Sequence, residues 1–140
     1  MKKIVSTSDA PAAIGPYSQG VRVGSTVYYS GQIPLDPKTG QLVSGGIDAQ
    51  TRRVLENITG LLKAEGLSFD NIVKTTIFLA DIGDFQAVNE IYGSYFKQVP
   101  PARSTIQAGA LPKGARIEIE VIAVADSGGS SGEVAADTSG

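Results

Sequence analysis

The segment Arg116–Ala125 constrains the fold most. It places Ile117, Ile119, Val121 and Ala123 on one side of an extended backbone and Glu118, Glu120, Ile122 and Val124 on the other. A period of two over this length predicts a strand with two unlike faces, one wholly apolar and one half charged. The apolar face requires a covering layer. The other, half apolar and left uncovered, is the kind of surface that meets another subunit, so oligomerisation is expected from the pattern alone.

The remaining elements supply the layer. Ile4–Ser6 reads as a short strand, followed by a loop holding Pro11, Gly15 and Pro16. Gln19–Val23 and Thr26–Ile33 read as a hairpin turning at Gly24-Ser25, and Pro34–Gly40 is turn chemistry throughout. From Ile47 to about Glu65, residues Ile47, Val54, Leu55, Ile58, Leu61 and Leu62 share one helical face, with Gly66 where a left-handed terminating residue belongs. Ile72–Leu79 is rich in β-branched residues and predicts a strand. A second helix is expected from about Asp84 to Phe96, with Phe85, Val88, Tyr92, Tyr95 and Phe96 as its apolar stripe and Asp81 or Asp84 as N-cap. Arg103–Gln107, entered through Pro100-Pro101, is a further strand. The simplest packing is α+β, one sheet with both helices on a single face. Residues 1–125 form one domain on this reading. Residues 126–140, rich in Ser, Gly and Ala, are expected to be a flexible tail.

Composition narrows the chemistry. The 140 residues include neither cysteine nor histidine. Disulfides, thiolate nucleophiles, Ser-His triads, HExxH zinc sites and histidine-based RNA cleavage are all excluded. Catalysis must rest on Arg, Lys, Tyr, Asp/Glu, hydroxyls and backbone dipoles. The net charge is −2 and the only basic doublets are Lys2-Lys3 and Arg52-Arg53, so no phosphate-tracking patch is visible and nucleic acid is not an expected partner. No apolar run approaches the roughly 18–20 residues that cross a bilayer, and the first residues form no signal-peptide core, so a cytoplasmic protein is expected.

Few residues remain that carry chemistry. Arg103 offers a planar fork matching a carboxylate; it is either a ligand clamp or half of an ion pair to Glu118 or Glu120. Strand alternation sets Arg103, Thr105 and Gln107 on one face. Glu118 and Glu120 share another, about 6.5–7 Å apart by the strand rise, and either is suited to orient a water. Tyr17, after Gly15-Pro16, lines a pocket or lids the core. Gly31, inside the expected strand, permits close approach by a ligand, or else marks a bulge or a tight contact with a neighbouring strand. Asn89 interrupts the second helix's buried side, pointing into the fold or into a site.

In combination these residues resemble one family. Ala13-Ile14-Gly15-Pro16-Tyr17-Ser18-Gln19, Ser30-Gly31-Gln32-Ile33-Pro34, Ile72-Val73-Lys74-Thr75-Thr76, Pro101-Ala102-Arg103-Ser104, Leu111-Pro112-Lys113 and Ile117-Glu118-Ile119-Glu120 occur together and in order, as in the reactive intermediate deaminase A family (RidA, also called YjgF). The resemblance runs from about Lys3 to Ala125. It implies a chorismate-mutase-like homotrimer with sites in the clefts between subunits. It also implies 2-iminobutanoate/2-iminopropanoate deaminase activity, sparing pyridoxal-phosphate enzymes from enamine damage, without metal or organic cofactor.

Carried over residue by residue, Arg103 binds the substrate carboxylate and Glu118 orients water. Tyr17, Gly31 and Asn89 line the site, and Glu120 has no catalytic part. Thr105 stands where many relatives carry cysteine; the implied role of that position runs through its backbone N–H, which threonine keeps. The competing reading is a non-catalytic trimeric binder or sensor of small carboxylates such as 2-oxo acids, which Arg103 serves equally well.

Overall fold

In the computed structural model, which describes residues 1–126, the alternating segment is strand β6 (Ile117–Val124). Its Ile117, Ile119, Val121 and Ala123 are buried, and Glu120 opposite is exposed. In chain order the other strands are β1 (Lys3–Val5), β2 (Gly20–Val23), β3 (Thr26–Tyr29), β4 (Ile72–Leu79) and β5 (Ala102–Gln107). Together with β6 they form a single sheet ordered β1-β2-β3-β6-β4-β5, so the last strand lies between β3 and β4. Neighbours are antiparallel except β4 and β5, which run parallel around the intervening helix α2 (Phe85–Gly93).

Helices α1 (Ile47–Lys63) and α2 pack on the apolar sheet face, in the expected α+β arrangement. Val54, Leu55, Ile58, Leu61 and Leu62 of α1 join Ile77, Leu79, Ile117 and Ile119 in one core, each at most 1% exposed. Gly66 terminates α1 as expected. At φ 71° it lets its own N–H reach Lys63 O at 3.0 Å and the Leu67 N–H reach Leu62 O at 2.9 Å, which satisfies the terminal carbonyls. The opposite sheet face has no covering element among the described residues. Ile4, Val23, Tyr28 and Ile106 are exposed there.

Two local expectations are corrected, and a third, the choice of cap, is decided in favour of Asp81. Helix α2 stops at Gly93, not Phe96. Ser94 Oγ donates to Ile91 O at 2.6 Å and the chain tightens into i→i−3 bonds through Phe96. Tyr95 and Phe96 still pack inward, against Phe69 and Tyr92. At the start of this helix, the Asp81 carboxylate accepts the Gly83 N–H at 2.8 Å in a short 3-10 turn, Ile82–Asp84. Asp84 makes no cap bond, because its carboxylate takes both contacts from Arg116 Nη2, at 3.0 and 3.1 Å. Finally, β3 ends at Tyr29, and Ser30 and Gly31 step out of the ladder before Gln32 rejoins β6 at Ile119 through bonds of 2.8 and 3.1 Å. Gly31 therefore lies beside the sheet rather than within a strand. The expected tail lies, beyond Asp126, outside the described residues.

Candidate active site

A loop between β1 and β2 forms one wall of a cavity, and one buried amide organises it. Gln19 Oε1 accepts the Thr7 N–H at 2.6 Å, while Nε2 donates to Thr7 O, Ala10 O and Pro11 O at 3.0, 3.3 and 2.8 Å. The loop rests on α1 at Gly60, where a Cβ would stand 2.5 Å from Asp9 O. That close approach explains a glycine in a helix interior, where it otherwise weakens the helix. A second wall is the turn after β3, tied down by Asn57 of α1, whose Nδ2 donates to Leu35 O at 3.0 Å. The open cavity between them, about 500 Å³, is lined by residues including Ile14, Tyr17, Gly31, Ile33, Lys113 and Glu118.

Glu118 is the acid of this cavity. It lies opposite Phe78 on the uncovered sheet face, and its carboxylate occupies the space that a side chain at residue 31 would need. Gly31 thus leaves room for the Glu118 carboxylate in the position it holds. Burial and, secondarily, the Glu120 carboxylate raise the Glu118 pKa above its ordinary value. Tyr17 is exposed at the cavity rim, its Oη accepting the Ile14 N–H at 3.4 Å across a turn in which Gly15 has φ 120°. Sequence reasoning did not single out Lys113 as a lining residue. Its left-handed backbone, φ 58° and ψ 19°, turns the chain into β6.

Arg103 stands elsewhere. In β5 it lies opposite Thr75 of β4, and Thr105 lies opposite Ile77. Thr75 and Ile77 are buried on the helix side, so Arg103 and Thr105 belong to that side. Its Nη1 donates to Asn89 Oδ1 at 2.7 Å, and its guanidinium carbon lies 5.0 Å from the Tyr92 ring centroid and 5.3 Å from that of Phe85. Neither Glu118 nor Glu120 pairs with it, which removes the ion-pair alternative. Among the described residues the ion pairs are Lys3 and Arg22 with Glu65 and Arg116 with Asp84, leaving Arg103 without an acidic partner.

The expected site residues therefore fall into two groups. Tyr17, Gly31 and Glu118 meet at the cavity; Arg103, Asn89 and Thr105 lie along α2 and β5. The first can hold and polarise a water, and the second can grip a carboxylate. Phe85 and Tyr92, contacts of Arg103, read in the sequence only as core stripe. Their spacing with Asn89, i, i+4 and i+7, was the available signal. No group of three acidic, His or Cys side chains suited to a metal occurs among the described residues.

A family model described as endoribonuclease L-PSP matches residues 7–125. The human protein named 2-iminobutanoate/2-iminopropanoate deaminase is 56% identical over 124 residues, covering 89% of this chain and 90% of that protein. The chain belongs to this family. Among solved structures, a Rid-family protein from Yersinia pestis is 52% identical with TM-score 0.87, covering 89% of this chain and 99% of that one. Escherichia coli TdcF, solved with bound serine, is 46% identical with TM-score 0.83, covering 87% and 98%. The mixed sheet with two helices on one face is accordingly the Rid/YjgF fold. No helix among the described residues of this Rid-family chain is long and apolar enough to cross a membrane.

Proposed function

We propose that this chain is a cytoplasmic hydrolase of 2-imino acids, 2-iminobutanoate and 2-iminopropanoate among them, releasing 2-oxo acids and ammonia. It works as a homotrimer whose sites form between neighbouring subunits. One observation carries the reading. A guanidinium with no acidic partner and a carboxylate with raised pKa, the two groups such a reaction needs, are both present but on opposite faces of one sheet. A neighbouring copy, docked on the uncovered face, brings its own arginine edge to the cavity.

In that site Arg103 fixes the substrate carboxylate through two parallel N–H···O bonds, beside Asn89 and Thr105. Tyr17 and Gly31 bound the reacting end. Glu118, more basic than an ordinary carboxylate, takes a proton from water as the water oxygen bonds to the imine carbon. Glu118 then passes that proton to the carbinolamine nitrogen, and as the C–N bond breaks and ammonia leaves, the carboxylate takes the hydroxyl proton, leaving the C=O of the 2-oxo acid. The imine carbon is already electrophilic, so positioning and one general base suffice.

The human relative's name supports the substrate class. The test is ammonia release from 2-iminobutanoate generated in situ. Arg103→Ala should lose the assisted rate, and Arg103→Lys should fail too, since a point charge does not reproduce the fork. Parental activity in Arg103→Ala overturns the reading. Saturable binding of 2-oxobutanoate without any acceleration of ammonia release would establish the binder instead.

A further inference from the structure

Arg103 is held by more than its strand. Phe85, Asn89 and Tyr92 recur at i, i+4 and i+7 along one face of α2, and all three contact the guanidinium. Tyr92 is 5% exposed, and its hydroxyl pairs with Thr75 Oγ1 at 2.8 Å. Thr75, itself buried, is the residue directly opposite Arg103 in the β4–β5 register. The contacts close a circuit, from Arg103 across the ladder to Thr75, through two hydroxyls to Tyr92, and back from ring to guanidinium. The guanidinium lies over both rings, which accept no conventional hydrogen bond from it, so its N–H groups beyond the one given to Asn89 are left for a planar acceptor.

We propose that Tyr92, anchored by Thr75 and assisted by Phe85, is a positioning residue that orients the Arg103 guanidinium for the substrate carboxylate. The proposal rests on the reading of Arg103 as the carboxylate clamp. A long arginine side chain left loose must surrender rotamer freedom when it binds, and a fork held in advance avoids that loss. Burial raises the Tyr92 pKa, so the phenol stays neutral in its pair with Thr75. Because Tyr92 acts on binding and not on the water at Glu118, its loss is read in KM while kcat stays near the parental value.

The experiment compares Tyr92→Phe, Tyr92→Leu, Phe85→Leu and Arg103→Ala in steady-state hydrolysis of 2-iminobutanoate, with the Arg103 Nε–H resonance followed by NMR. Tyr92→Leu should raise KM about tenfold with kcat within about twofold, and its Nε–H signal should lose the ring-current shift. Tyr92→Phe keeps the ring and should stay within about threefold of the parental KM with the shift retained. Should Tyr92→Leu fail to fold, Phe85→Leu, at a partly buried residue, carries the test, with an expected KM rise of about threefold. An inactive Arg103→Ala together with unchanged KM in the leucine variants that fold overturns the positioning role alone. Parental activity in Arg103→Ala overturns the clamp and this role together.

Discussion

Arg103 and Glu118 lie on opposite faces of the same sheet. Both pair with β4, Arg103 opposite Thr75 and Glu118 opposite Phe78, and the odd spacing between those two partners turns the side chains apart. One chain therefore cannot close both groups on one small substrate. If sites form between copies, two inactive variants should rescue each other. Arg103→Ala and Glu118→Gln, unfolded together in equal amounts and refolded, should recover about a quarter of parental activity, the fraction of interfaces receiving both intact partners. Separately refolded variants should recover none. No recovery in mixed oligomers would place both groups in one subunit's site.

The pH dependence follows from Glu118. In the proposed mechanism the attacking water needs its ionised form, and burial with the Glu120 charge raises its pKa. Activity should fall with acidification at a higher pH than an ordinary carboxylate would give. Glu120→Gln removes one of the two causes, so the acid limb of kcat/KM should move to lower pH. A limb unmoved by that substitution would assign the titration to another group.

The same shift carries a stability sign. A carboxyl with raised pKa binds more protons folded than unfolded, so stability falls as pH rises from the ordinary carboxylate range through the folded value. Above that window the ionised group is a standing cost. Glu118→Gln should therefore raise Tm at neutral pH, by an amount that shrinks as the pH is lowered through the window. Thermal melts across pH check it.

Gly31→Ala should inactivate without unfolding. The added methyl meets the Glu118 carboxylate, the movable end of a side chain, which swings away from the water that the proposed mechanism has it orient. The expected loss is about 10²-fold or more in kcat, the usual worth of a general base, with Tm near the parent's. Full activity in this variant would remove Glu118 from the chemistry.

Gly60→Ala makes the contrasting case. Its Cβ would meet Asp9 O at 2.5 Å, and backbone yields less readily than a carboxylate. A loss of about 1–3 kcal/mol is expected in denaturant melts, along with weaker substrate binding as the Gln19 loop lifts from α1.

The pattern of what could be read in advance has physical causes. Period-two burial on β6 and the 3.6-residue stripe of α1 reflect one covered face each, so their element types and core residues were legible. Strand alternation also set Arg103 and Thr105 together correctly. It does not relate the face of one strand to that of another, because that depends on register, and so Arg103 was left with Glu118 and Glu120 as possible ion-pair partners. The role of Gly31 was open for a similar reason: the obstacle at residue 31 is a side chain from β6, far along the chain. Tyr92 read as core because it is core; its ring serves the hydrophobic cluster and the guanidinium at once.

The position of β6 between β3 and β4 bears on how the chain is made. Until that strand inserts, the β1–β2–β3 meander and the β4–α2–β5 unit have no ladder joining them. Synthesis runs from the N-terminus, so the sheet closes only after Ile117–Val124 has left the ribosome. The pairing spans most of the sequence and is slow to find by the usual dependence on contact separation. A chain released at Arg116 would lack the strand that both β3 and β4 pair with, and Glu118 with it. On the proposed mechanism, the water-handling group thus arrives on the strand that completes the fold, and unfinished chains carry no working carboxylate.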